Sequence, residues 1–267
     1  IYGCAAPATD DSKDVQEDNE QTGVQDQPSE EDVIETAEEE ISEPDVLIIE
    51  EIPKEAESAA EGSESAPRWV YSGPAIEGNY ADSDFVDLDN GKYRMYYAIE
   101  PEVPGNKLEV YSATSSDGIG WMRESGIRRT FTVFPDVVKL PDGKWRMYFQ
   151  NAGVIKSAIS SDGLSWKDES GIRIDTKNNE GLTFENVAGP TTIADGSRYI
   201  MVYSGTIPGK YKDAPNNNQA VLLWAASSDG LKFDFQGMAL DTRNDNFYGF
   251  ADTPDIIRWD DGTIKIF

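Results

Sequence analysis

Four carboxylates stand just before, or at the start of, strand-like runs that recur along this sequence: Asp82, Asp136, Glu185 and Asp252. Aromatic residues accompany them. Tyr80 lies near Asp82, Phe134 near Asp136, Phe184 next to Glu185, and Tyr248 and Phe250 precede Asp252. Two carboxylates at a fixed separation can divide acid and base work, because burial and mutual repulsion drive their pKa values apart. A ring beside such a carboxylate offers a flat apolar face to the C–H surface of a sugar. The alternatives narrow quickly. The chain has no histidine, which excludes a Ser-His-Asp triad, a histidine base and a His-ligated zinc. Its single cysteine, Cys4, excludes an intrachain disulfide framework and a four-cysteine metal site.

These carboxylates belong to a strongly acidic chain of 267 residues with a net charge of −27. That balance argues against nucleic acid as a partner, which requires Lys/Arg clusters facing phosphates. No apolar run approaches the ~18 residues of a membrane-spanning helix. The charge is uneven. Residues 5–67 hold 22 acidic residues against Lys13 and Lys54 and contain no aromatic side chain, whereas residues 68–267 carry a net charge of only −7. The first segment lacks the apolar surface to offset ordering entropy and reads as a disordered acidic linker. Cys4, followed by Ala-Ala-Pro-Ala-Thr-Asp-Asp, resembles the lipid-modified cysteine of a bacterial lipoprotein. Residues 1–67 therefore read as a lipobox-like end and a tether, implying an extracytoplasmic, lipid-anchored location at the cell surface or in the periplasm.

Internal repetition defines the elements that must position the carboxylates. Asp84-Phe-Val-Asp-Leu-Asp-Asn-Gly-Lys-Tyr-Arg-Met-Tyr-Tyr97 aligns with Asp136-Val-Val-Lys-Leu-Pro-Asp-Gly-Lys-Trp-Arg-Met-Tyr-Phe149. A third copy surrounds Asp195-Gly196, and a fourth surrounds Asp261-Gly262. Each is an apolar run, a tight Asn-Gly or Asp-Gly turn and a second strand-like run, which predicts a β-hairpin. After each of the first three comes a second motif: Ser115-Ser-Asp-Gly-Ile-Gly-Trp121, Ser160-Ser-Asp-Gly-Leu-Ser-Trp166 and Ser227-Ser-Asp-Gly-Leu-Lys-Phe233. There the Asp caps its own turn, the Gly takes the left-handed position and the ring packs between sheets. Four strands per unit, repeated, predict an all-β propeller, with about three and a half blades present in residues 68–267 and the chain truncated at its C-terminal end. Asp84 and Asp255 occupy the repeated register and read as structural. Asp136, opening a strand, reads as a residue that bonds backbone amides or contacts substrate.

Residues 68–267 resemble the five-bladed propeller glycosidases of glycoside hydrolase families 43, 32, 62, 68 and 130. The likeness rests on Ala81-Asp-Ser-Asp-Phe-Val86 with Asn90-Gly-Lys-Tyr-Arg-Met-Tyr-Tyr97, on Phe134-Pro-Asp-Val-Val138, and on the Ser-x-Asp-Gly turns. It implies hydrolysis of a poly- or oligosaccharide by carboxylates in the propeller channel. Asp82 matches the blade-one Asp that acts as base or nucleophile, with Ser83 in place of the usual Pro. The blade-three Asp falls on Gly189, and the nearest carboxylate is Glu185. The blade-four Glu that acts as acid falls near Asp252. The expected catalytic set is thus Asp82, Glu185 and Asp252, with Asp136, Tyr80, Phe134, Phe184 and Phe250 binding substrate. No cofactor is required, although carboxylate-bound calcium is left open, and the complete protein is expected to be a monomer. The substituted positions keep open a non-catalytic carbohydrate-binding or adhesion propeller.

Overall fold

A computed structural model describes residues 73–99, 107–177, 181–207, 219–243 and 249–267. The acidic segment with Cys4, most of the loop 208–219, and Tyr248 lie outside the described residues.

The described chain is built of antiparallel β-strands. The first sheet runs β1 (Tyr80–Asp87), β2 (Tyr93–Ile99), β3 (Glu109–Ser115) and β4 (Met122–Arg123), with β5 (Arg129–Thr130) also paired to β3. The second runs β6 (Val133–Lys139), β7 (Trp145–Asn151), β8 (Val154–Ser160) and β9 (Lys167–Asp168). The third runs β10 (Asn186–Asp195), β11 (Arg198–Ile207), β12 (Gln219–Ser227) and β13 (Asp234–Leu240). A final hairpin pairs β14 (Ile256–Arg258) with β15 (Ile264–Ile266). Each sheet follows sequence order, as a propeller blade does. No helix among the described residues is long and apolar enough to cross a membrane.

The turns anticipated from sequence join the first two strands of each blade. Gly91, Gly143, Gly196 and Gly262 each carry the positive φ that such tight turns require. Side-chain alternation along the second strand then decides which faces stack. In β2, Tyr96 and Ala98 face blade two, where they join Val137, Trp145, Met147 and Phe149. Met95 and Tyr97 face the other way. The core is therefore a series of inter-blade layers. Tyr148 and Ile155 meet Val187, Met201 and Leu223 between blades two and three, and Val202 and Leu222 meet Ile256 between blade three and the last hairpin.

The first strands of successive blades, β1, β6, β10 and β14, pack against one another. They form the wall on which the predicted carboxylates sit. The Ser-Ser-Asp-Gly turns act as blade-to-blade fasteners. Asp162 Oδ1 accepts from the amides of Leu164 and Ser165, both at 2.8 Å, which folds the turn into a knob. Arg94 of blade one donates to Asp162 O at 2.9 Å, and Tyr96 donates to Gly163 O at 2.9 Å. Blade two repeats the arrangement on blade three: Arg146 donates to Asp229 O at 2.9 Å and Tyr148 to Gly230 O at 2.8 Å. Glu124 and Glu169, from the two Glu-Ser-Gly-Ile-Arg segments, hold the arginines at 2.8 Å.

Candidate functional site

The innermost strands of the first three blades are each interrupted by one irregularity at the same depth. Pairing shifts between Ala81 and Asp84, between Val133 and Asp136, and between Ala188 and Thr191. Inside each shift one residue adopts a left-handed backbone: Asp82 at φ 53°, Phe134 at 52° and Gly189 at 52°. Thr253, just before β14, matches them at 49°. Bulges of this kind re-aim side chains at the ends of sheets, and non-glycine residues hold such a φ only where their surroundings enforce it. The next residue is Ser83, Pro135, Pro190 or Pro254, and the one after it is Asp84, Asp136, Thr191 or Asp255. Two layers of equivalent positions thus line the wall.

The upper layer contains the candidate chemistry. Asp82 lines a shallow cavity of about 190 Å³ together with Tyr80, Tyr97, Met95, Ile76 and Ala81. Tyr80 meets Tyr97 edge-to-face with ring centroids 5.0 Å apart, and Arg123 donates to the Tyr80 hydroxyl at 2.9 Å while lying over its ring. Asp82 and Tyr80 are therefore brought together as the sequence indicated. Phe134 is half-buried at the position equivalent to Asp82 on blade two. Asp252 is exposed one residue before the Thr253 left-handed position; its Oδ1 accepts from the Thr253 amide at 2.8 Å and from the Ser204 hydroxyl.

Three expected residues take other places. Glu185 is exposed ahead of β10, beside Gly153 of the blade-two turn, with its amide bonded to Thr206 O at 2.8 Å. Phe184 is buried in the core between blades two and three, where its ring fills the space over Gly205. It is a packing residue in place of the binding residue expected there, because its neighbours Val221 and Leu223 supply an apolar slot. Phe250 bridges to Ala220 on the third strand of blade three, away from the innermost strands. Gly189 has a steric reason to lack a side chain. A Cβ there would lie 3.1 Å from Thr253 Cα, so a side chain at this position would crowd the neighbouring backbone.

The lower layer is one the sequence reading undervalued. Asp84 accepts from the Val137 amide at 2.7 Å, and Asp136 accepts from the amide of Thr192. In blade three Thr191 takes over, its hydroxyl accepting from the Ile256 amide at 3.2 Å. Each residue of this layer thus binds the amide just after its counterpart on the next blade. Burial pushes the Asp84 carboxyl up to about 7, against the pull of the Val137 amide, and the Asp255 charge adds to the rise. Burial, and then the Asp84 charge, push Asp136 well above the ordinary carboxylate range. The repeated Asp at 84 and 136 was visible in the sequence; what it did not show was that the blades bring these carboxylates within electrostatic reach. Among the described residues no group of three or more His, Cys, Asp or Glu side chains is disposed to hold a metal ion.

The fold has known counterparts. An endo-1,4-beta-xylanase from Bacteroides thetaiotaomicron VPI-5482 superposes with a TM-score of 0.55 at 18% identity, over 70% of this chain and 64% of that one. The chain shares its fold with β-propeller glycoside hydrolases. An endo-arabinase from the same organism gives a TM-score of 0.50 at 11% identity, over 69% and 68% of the two chains. This chain thus spans a little under two thirds of the xylanase. No protein-family model matches the sequence, and no curated protein matches it.

Proposed function

We propose that this propeller acts on a poly- or oligosaccharide at the mouth of its innermost strands, with hydrolysis of a glycosidic bond as the reaction. The observation that carries the reading is Asp82, fixed in a left-handed bulge and lining a cavity walled by Tyr80 and Tyr97. In this reading Asp82 is the ionised partner, activating water or attacking the sugar, and Tyr80 and Tyr97 stack on the sugar face. Asp252, just before the last hairpin, is the acid. Phe134 and Asp136 belong to the adjoining wall. The acidic segment and Cys4 tether the domain to an extracytoplasmic membrane face. The xylanase and the endo-arabinase make β-1,4-xylan and arabinan the first substrates to test.

A second reading is binding without cleavage, and one observation favours it: Gly189, which carries no side chain and has the Thr253 backbone close beside it, stands where the third carboxylate of the resemblance belongs. Asp82→Asn separates the two. Under hydrolysis, release of reducing sugar by the protein falls at least ~100-fold in the variant while glycan retention persists, because the amide keeps shape and hydrogen bonding but cannot act as base. Glycan retention without measurable cleavage by the unaltered protein supports the binding reading. Neither cleavage nor retention of any glycan overturns both.

A further inference from the structure

The lower layer of the wall has a use that is independent of any reaction. Asp84 on β1 and Asp136 on β6 each grip the next blade by its backbone, at Val137 and at Thr192. Asp136 is 94% buried, and its Oδ2 has no hydrogen-bond partner among the described residues. A carboxylate oxygen left this way in a low-dielectric place is costly if charged and tolerable if it carries a proton.

We propose that the Asp84–Asp136 pair is a proton-held fastener, which keeps blades one, two and three aligned while it holds a proton and loosens them when that proton is lost. The charged and titratable groups around the pair leave no compensation. Asp255, just before β14, adds negative charge to both members. Tyr96 and Tyr148 stand alongside from β2 and β7; burial holds the Tyr96 phenol up at about 12 and raises that of Tyr148 further, so both stay neutral. Blade three contributes Thr191 and Thr192, which are uncharged. Arg94 and Arg146, two residues earlier on β2 and β7, are engaged by Glu124 and Glu169.

The direction of the pH effect follows. A carboxyl whose pKa is higher in the folded chain than in the unfolded one binds its proton more tightly when folded. Its contribution is complete below the unfolded value of about 4 and is lost as pH rises through the folded value, which for Asp84 is about 7. Because Asp82 lies two residues from Asp84 on the same strand, loss of the proton disturbs the candidate site as well.

The test is thermal unfolding of the full chain at pH 5, 7 and 9 in moderate salt, alongside Asp136→Asn and Asp84→Asn. The unaltered protein is expected to lose about 5 °C or more in Tm between pH 5 and pH 9. Either variant should flatten that loss and exceed the unaltered protein at pH 9, because an amide keeps an acceptor for the neighbouring amide without a charge. Asp84→Asn gives the same readout if Asp136→Asn fails to fold. Parallel pH curves for variant and unaltered protein would overturn the proposal. It would also be overturned by added calcium abolishing the alkaline loss in the unaltered protein but not affecting Asp136→Asn, since a cation would then be serving in place of the proton. This experiment needs no substrate, so its failure leaves the glycosidase reading standing, and the converse holds.

Discussion

Blades two and three are built from the same repeat but meet their successors differently. In blade two, Asp136 pairs across to Tyr148 and Val138 to Arg146, and these side chains grip the Ser-Ser-Asp-Gly knob of blade three. In blade three the same register holds Thr191 opposite Val202 and Ile193 opposite Ile200. Among the described residues its layer against the last hairpin has no such knob: Val202, Leu222, Ala239 and Ile256 pack there, and the polar contacts are Thr191 to the Ile256 amide and Asp195 to Arg258. A buried Arg–Glu pair adds little net stability over a well-packed apolar contact, because desolvation offsets attraction, yet breaking one member is expensive. The difference teaches that apolar layers supply adhesion at both interfaces, while the arginine-held knob adds a fixed register only where it is present.

Three experiments break or sharpen this contrast. The largest effect is expected from Arg146→Ala. It strands Glu169 in a half-closed pocket and removes the bond to Asp229 O, so urea unfolding should show a loss of ~3–5 kcal/mol. A loss below ~1 kcal/mol would mean that the pair does not fasten the blades. Next come two glycines of identical backbone geometry. Gly163 and Gly118 have φ of 71° and 73°, but a Cβ on Gly163 would lie 2.7 Å from the Tyr96 hydroxyl, while nothing lies within 4 Å of one on Gly118. Alanine at Gly118 should cost ~1 kcal/mol from the backbone alone. Alanine at Gly163 should cost at least ~1 kcal/mol more; equal losses would show that the knob is not seated.

The smallest effect concerns Asp162. Its capping amides hold the carboxyl down at about 2, and a depressed carboxyl contributes above its unfolded value of about 4. That contribution fades as the pH falls from about 4 through about 2. The group is largely exposed, so solvent screening keeps the effect small. Asp162→Asn should lower Tm slightly at pH 7 and not at all near pH 2, and a similar loss at both would point to the turn's shape in place of its charge.

Most of the architecture was legible because the repeats carry local signals. Asn90-Gly91 and Asp142-Gly143 demand hairpins, and the two-residue alternation in Arg94-Met-Tyr-Tyr97 shows which side chains share a face. Asp82 and Tyr80 were legible for the same reason, since both belong to one strand. What could not be read depends on contacts between blades. Nothing local distinguishes Phe184, sunk over Gly205, from Phe134, half-exposed at the wall. Likewise the recurrence of Arg94 and Arg146 was plain, but their partners lie 68 and 83 residues away along the chain.

The left-handed position shared by Asp82, Phe134, Gly189 and Thr253 separates where a group is held from what the group is. One bend in the main chain, repeated around the wall, carries a carboxylate, a ring, an empty place and a hydroxyl. The backbone works as a rack of like pegs, so the surface chemistry of this mouth can be rewritten peg by peg. Gly189 is the crowded peg, because the Thr253 backbone stands close beside it.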